Sequence, residues 1–483
     1  VSVLALAALL CGCAGVAPAA RPAGPPALAT LAPAAWQAPW PHGGEVQALG
    51  RWWQRFDDPL LVELVTAAQA AAPTVASATS RIAQARAARV AAEAALQPRL
   101  DSSASAARGR QDLSLPVGTS LSAGVQASWE LDLFGGLGAG RDAAVARLEG
   151  ARADWHDARV AVAAEVATAY VSLRACEAQA LQNERDAQSR AETARLTELA
   201  SRSGFRAPAD AALARGSAAS AAATLAAQRA SCELERKGLV ALTALDEAAL
   251  RARLAAGAAQ VPQPAAAGLG AAPVPAQALA QRPDLRSAEQ AVLASAAAVG
   301  EAEARRLPRI ALNGSLGVSR VTAEGFSAQG STWAIGPVQV TLPIFDGGSL
   351  RAGADAARAR YDEAGALYRA RLRNAVREVE AALVRLQGSS EQTPLAQAAL
   401  DGFEAALRAT EARYRGGLAS QFELEDARRT AVQAATRLVG LQRERATAWV
   451  ELYRALGGGW EAADLDAPER QAAGPARADG ARP

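Results

Sequence analysis

From Val125 to Gly136 the chain reads Val-Gln-Ala-Ser-Trp-Glu-Leu-Asp-Leu-Phe-Gly-Gly, and this run decides the fold. Its odd positions as far as Leu133 are Val, Ala, Trp, Leu and Leu, against Gln126, Ser128, Glu130 and Asp132 on the even ones. Side chains of a strand alternate between faces, so strict period 2 marks a strand with one apolar and one polar face. The pattern returns from Ile310 to Val318 and from Ala334 to Ile344, with the apolar set on even positions in both. A weaker alternation runs from Leu100 to Arg108. Each segment can reach ~10 residues, the length of a tilted transmembrane β-strand. A half-buried strand of a soluble sheet alternates in the same way, so the pattern alone leaves both settings open.

Beyond Gly136 comes helix on another scale. Residues 140–202 contain no Pro, and at 1.5 Å per residue they would extend ~90 Å. Residues 208–250 read alike, as do 350–457 apart from a turn at Gly416-Gly417, with Pro394 an expected kink. Such lengths exceed a compact domain and imply a coiled-coil-like bundle or tube, whose Ala-rich seams let helices approach closely. Shorter helices open at Asp58-Pro59, reaching about Ala95 with Pro73 inside, and at Arg282-Pro283-Asp284, reaching about Arg306. Asp suits the first N-cap and Pro the first helical position.

The arrangement occurs twice. Leu96-Gln-Pro-Arg-Leu100 returns as Arg306-Leu-Pro-Arg-Ile310, and Leu131-Asp-Leu-Phe-Gly-Gly136 as Leu342-Pro-Ile-Phe-Asp-Gly-Gly348. Gly204-Phe-Arg-Ala-Pro-Ala-Asp210 aligns with Gly417-Leu-Ala-Ser-Gln-Phe-Glu423. The fold class expected is therefore α+β, a tandem duplication of helix, strand, strand and long helical hairpin. The repeats span 51–260 and 277–460, with a linker at 261–276 and a disordered tail at 461–483.

Composition narrows the function. The 483 residues carry 51 basic and 49 acidic groups, a net charge of +2, so no field draws the chain to nucleic acid. The basic side is almost all Arg, Lys237 being the single Lys, a bias that a GC-rich genome explains. The two His residues, His42 and His156, lie far apart, and no zinc, Walker, dinucleotide or nucleophile-elbow motif occurs. No catalytic residue, metal site or cofactor is expected.

The N-terminal run from Val1 to Leu10 is too short to span a bilayer and reads as the apolar core of a secretion signal, residues 1–12, although no basic segment precedes it. Leu10-Cys11-Gly12-Cys13 resembles a bacterial lipobox, which makes Cys13 the acylated residue. Ala14 after it favours outer-membrane sorting by the same resemblance. Residues 13–50, rich in Ala, Pro and Gly, are expected to form an extended tether.

Four strands cannot close a membrane barrel, and an open sheet edge cannot face lipid. Either the strands are soluble or several chains complete one barrel, most simply three chains giving twelve strands around a lumen. The set Trp53-Gln-Arg-Phe-Asp-Asp-Pro59, Leu131-Asp-Leu-Phe134, Gln281-Arg-Pro-Asp-Leu-Arg-Ser-Ala-Glu289 and Pro343-Ile-Phe-Asp-Gly-Gly348 resembles the TolC-like outer-membrane efflux family, in particular its NodT-type lipoproteins. The resemblance covers about residues 51–458. It implies a homotrimer in which a β-barrel in outer-membrane lipid continues as a helical barrel across the periplasm. It further implies a passive exit duct joined by a periplasmic adaptor (membrane fusion) protein to an inner-membrane RND-type transporter. A type I protein-secretion duct is the alternative within channels, and a periplasmic coiled-coil scaffold or adaptor the alternative outside them.

Two local expectations follow. Cys176 and Cys232 each lie 28 residues from Gly204, so an antiparallel hairpin sets them at one height. A disulfide forms there if the side chains face each other, and otherwise two buried thiols remain. The inner end of the duct falls at the turns 203–207 and 416–420, farthest from the strands. By resemblance, acidic Glu423 and Asp426 ring the constriction beside the bulky Phe422, and Tyr414 latches neighbouring helices. Asp210 is the first-repeat counterpart of Glu423, and Ala419 stands where some relatives carry a latching Arg. A solvated acidic helix start explains the same residues more simply.

Overall fold

The computed structural model describes residues 22–38, 44–46, 49–110, 117–256, 260–264, 269–270 and 275–458. Cys13, the signal run and the tail lie outside them. The first repeat comprises α1 (Pro59–Ala71), α2 (Pro73–Ala94), β1 (Arg99–Gly109), β2 (Gly118–Leu131), α3 (Gly136–Arg202), α4 (Pro208–Thr243) and α5 (Glu247–Ala256). The second comprises α6 (Pro283–Ala304), β3 (Arg309–Ala323), β4 (Phe326–Thr341), α7 (Ser349–Arg415) and α8 (Gln421–Ala455). α3 and α7 are 67 residues each, ~100 Å of helix. Pro73 separates α1 from α2 with a bend of 49°, whereas α7 runs through Pro394 without a break.

Two compact units result, and each takes segments from both repeats. Among the described residues, the strand unit holds 22–26, Ser80–Arg152 and Arg286–Ala370, and the helical unit holds the rest.

In the strand unit the sheet is antiparallel in the order β1-β2-β3-β4. Its register builds two unlike faces. One carries the rows Ser102-Val125-Leu316-Trp333, Trp129-Leu312-Val338 and Leu131-Ile310-Val340. The other carries Ser105-Ser122-Ser319-Gly330, Ser103-Gly124-Gly317-Thr332 and Asp101-Gln126-Ser315-Ala334. The alternation expected for β4 needs one correction. Leu312 pairs with Val338 but Gly314 pairs with Ile335, so β4 holds an extra residue there, and Gly336 takes φ +110° to accommodate it. The bulge reverses parity, and Trp333 and Ile335 join the apolar face in place of Ala334 and Gly336.

The glycine motifs after β2 and β4 turn strand into helix. Asp132 accepts hydrogen bonds from the amides of Leu137 (3.0 Å) and Gly138 (2.7 Å), and Asp346 from those of Gly348 (2.9 Å) and Leu350 (2.7 Å). Each carboxylate thus satisfies the orphan donors that open a long helix. The Leu350 and Gly348 amides hold the Asp346 carboxyl below its ordinary pKa range.

The helical unit is packed around Trp52, Leu61, Leu64, Tyr170, Leu173, Trp449 and Tyr453, none more than 2% exposed. Trp52 stacks on Tyr453 with ring centroids 5.2 Å apart. Asp58 caps α1 through the Leu60 amide (3.0 Å) and also accepts from the Tyr170 hydroxyl at 2.6 Å. Arg282 is clamped from three sides. It donates to both carboxylate oxygens of Asp284 (2.9 and 2.7 Å), to Glu378 (2.8 Å) and to the Ala455 carbonyl that ends α8 (2.8 Å).

The expected tether is also corrected in its described part. In the strand unit the Tyr361 hydroxyl donates to the Ala23 carbonyl at 2.8 Å. In the helical unit the amides of Gln37 and Ala38 donate to Glu380 at 2.7 and 2.8 Å, and Leu28, Ala32 and Trp36 pack on Leu279, Leu285, Leu372 and Ala375. Bulky apolar residues at this spacing anchor a segment whose Ala and Pro content reads as extended. We predict that Arg282→Ala destabilises the helical unit by about 2 kcal/mol, towards the lower end for a broken buried pair, because Glu378 is 40% exposed. Denaturant unfolding followed by tryptophan fluorescence reads this, with Arg282→Lys losing less.

Candidate functional site

Both long helices of the hairpins end in one geometry. After α3, Gly204 takes φ +76°, Phe205 N–H donates to the Ala200 carbonyl (2.8 Å) and Gly204 N–H to Ser201 (3.0 Å). After α7, Gly417 takes φ +73°, Leu418 N–H donates to Arg413 (2.8 Å) and Gly417 N–H to Tyr414 (3.0 Å). These are Schellman caps, whose left-handed residue only Gly adopts without strain. The residue after the Gly usually packs back on its helix, yet Phe205 is 84% and Leu418 75% exposed. The tips therefore present apolar side chains outward.

The helices that leave the turns start differently. α4 has Pro208 at its first position, and its cap residue Ala207 makes no side-chain bond. α8 opens with a capping box, in which Ser420 Oγ accepts from Glu423 N–H at 3.1 Å and Glu423 Oε2 accepts from Ser420 N–H at 2.7 Å. The Ser420 backbone amide holds the Glu423 carboxyl below its ordinary pKa range. Asp210 sits in the first turn of α4 without a box, so it does not repeat the part of Glu423.

The remaining tip residues are distributed as follows. Tyr414 is half-buried, with its hydroxyl 3.2 Å from Thr197 Oγ1 and the Arg206 guanidinium 5.0 Å over its ring. Phe422 is 75% exposed, and Asp426 pairs with Arg429 on the surface of α8. Phe422, Asp426 and Arg429 line one groove of about 850 Å³ together with Arg190, Ser217 and Glu425. Glu423 does not line it.

The groove exposes residues that reading the sequence misses. Glu425 accepts from Arg190 (2.5 Å), Ser217 (2.6 Å), Gln421 (3.1 Å) and Arg428 (3.4 Å). Arg190 also grips Asp186 at 2.8 Å, and Arg428, only 5% exposed, donates to Thr193 at 2.8 Å and reaches Glu411 at 3.5 Å. One charge network thereby ties α3, α4, α7 and α8 behind the tips. Asp186/Arg190 and Glu425/Arg428 are visible in sequence as i,i+4 and i,i+3 pairs, but so are many other Arg pairs on these helices. Farther along the first hairpin, Cys176 and Cys232 are joined at an S–S distance of 2.08 Å with Cα atoms 5.5 Å apart. Among the described residues no group of three or more His, Cys, Asp or Glu could hold a metal.

We predict that Glu425→Ala, which leaves Arg190 and Arg428 without their shared carboxylate, loosens the start of α8 by about 2 kcal/mol. Ser420→Ala should cost about 1 kcal/mol there. Hydrogen exchange at residues 421–431 ranks the two. The Glu423 part of the box is full at neutral pH and is lost only as pH falls through that carboxyl's lowered pKa, below the ordinary carboxylate range.

Comparison with known proteins accords with this architecture. The outer membrane efflux protein family matches residues 64–245 and 274–458. The chain is 31% identical over 470 residues to the pyoverdine export outer membrane protein OpmQ of Pseudomonas putida, covering 92% of this chain and 95% of that one. It is 28% identical over 414 residues to nodulation protein T of Rhizobium leguminosarum bv. trifolii, covering 85% and 88%. The crystal structure of the outer membrane protein VceC from Vibrio cholerae superposes with a TM-score of 0.74 at 26% identity, covering 87% of this chain and all of that one. With both repeats matched, and a four-stranded sheet and long hairpins to which each repeat contributes alike, the chain belongs to the outer membrane efflux protein family and is a passive channel from periplasm to exterior.

Proposed function

We propose that three copies of this chain form one duct, lipid-anchored through Cys13, whose barrel lies in outer-membrane lipid and whose helices reach back through the periplasm. The open edges of the sheet carry this reading. Among the described residues β1 and β4 each have a neighbour on one side only, and lipid tolerates no unpaired strand edge. The apolar face meets lipid and the hydroxyl-rich face lines the lumen. At the helix tips the exposed Phe205 and Leu418 meet a periplasmic adaptor, which couples the duct to an RND-type transporter. A relative named for pyoverdine export supports small-molecule efflux over protein secretion.

Tyr414, Phe422, Glu423 and Asp426 form the resting gate, in which Glu423 is held ionised by the Ser420 amide and Asp426 is paired with Arg429. The polar face of the sheet is nearly neutral around its middle, so ion selectivity arises at this gate. The disulfide suits the oxidising periplasm.

Two measurements test this. Outer-membrane extracts should yield a heat-modifiable trimer whose Cys176 and Cys232 resist thiol reagents when denatured without reductant, and Cys13→Ser should lose only the lipid. A soluble monomer would overturn the assembly. In single-channel recordings, Glu423→Gln with Asp426→Asn should lower cation selectivity and relieve block by multivalent cations. Unaltered selectivity and block would remove these residues from the gate.

A further inference from the structure

The apolar face of the sheet ends in two arginines that neither the duct nor its gate employs. Along β3 the residues of that face are Ile310, Leu312, Gly314, Leu316 and Val318, and the next is Arg320. Along β1 they are Leu100, Ser102, Ala104 and Ala106, and the next is Arg108. Register sets Arg320 beside Leu121 and Gln329, and Arg108 beside Thr119, which pairs in turn with Thr322. The arginines are thus two strands and two residues apart, about 12 Å between Cα atoms. Two extended arginine side chains can close that gap from either side, over Thr119. Both are exposed.

The placement is one-sided. At the opposite end of the same face, towards the starts of α3 and α7, stand Trp129, Leu131, Ile310 and Val340, while Arg99 and Arg309 fall on the polar face by parity. Among the described strand residues, arginine continues the apolar face only at the hairpin end. A cation just beyond an apolar band lies at the headgroup layer, and a guanidinium fork matches phosphate oxygens in pairs. We infer that Arg108 and Arg320, with Thr119 between them and Gln329 beside, form a phosphate site for a phosphorylated glycolipid of the outer leaflet. The acyl chains of that lipid cover Ala106, Leu121 and Val318. The site rests on the reading of the sheet as a bilayer-embedded barrel with its hairpins outermost.

The full-length trimer, titrated with diphosphoryl lipid A and read by native mass spectrometry, tests it. Wild type should retain this lipid at least tenfold more tightly than lipid A stripped of both phosphates, and the preference should fall at high salt. Arg108→Gln with Arg320→Gln should abolish the preference, at about fivefold per arginine, while Arg-to-Lys variants keep part of it. Inorganic phosphate alone should not compete at equal concentration. Full competition would make this a free-anion site and overturn the lipid assignment. Equal retention of both lipids by wild type overturns the proposal whether or not the variants fold. Vesicle flotation separates the two failures, since a wild type that does not insert defeats the barrel reading, whereas one that inserts without phosphate preference defeats only the rim site.

Discussion

A peptide group left without a partner in hydrocarbon costs several kcal/mol, and the described sheet has two open strand edges. β1 is 11 residues long and β4 16, and among the described residues each is paired on one side only. Half the peptide groups of each edge strand point away from its neighbour, so the deficit of an isolated sheet in lipid outweighs the net stability of an ordinary domain. In the proposed duct, closure by further copies removes this deficit. The extra residue at Gly336 serves the same end, because it keeps Trp333 and Ile335 on the apolar face that the proposed barrel turns to lipid.

Away from the sheet the problem changes. Long Ala-rich helices supply propensity and close approach but little side-chain area to bury. Stability in the helical unit concentrates instead in a few aromatic contacts, such as Trp52 on Tyr453, and in arginines held by several acceptors at once. Arg282 ties the start of α6 to α7 and to the last carbonyl of α8, while Arg190 and Arg428 share Glu425. Such multiply bonded, poorly exposed guanidinium groups matter far more than the exposed i,i+4 pairs along the helix surfaces, which contribute little.

This division explains what could be read in the sequence. Period 2 gave the strands and their faces, Gly204 and Gly417 gave the turns, and the equal spacing of Cys176 and Cys232 about Gly204 gave their common height, because each of these is a local or symmetric constraint. The β4 bulge escaped, since Gly336 fits the even-position pattern and only the partner strand shows that a residue is surplus. The docking of 22–38 escaped because composition says nothing of the Glu380 carboxylate waiting for two amides. The Glu425 network escaped for a different reason. With nearly every cation an Arg, helix-spaced acid–base pairs are everywhere along the chain, and only tertiary structure tells those that link helices from those that merely decorate one.

The two hairpins, alike in their closing turns, differ in what holds them. α3 and α4 are stapled covalently through Cys176 and Cys232, and α4 begins on a proline whose backbone angle is fixed. Among the described residues α7 and α8 have no such staple, and α8 begins on a serine and a carboxylate that a proton or a competing cation can dislodge. Duplication therefore produced one hairpin with a covalent staple and one held by its cap and charge network alone. In a ring of such subunits, stiff and yielding members would alternate, so that the ring could widen by moving half of its helices while the other half kept its shape.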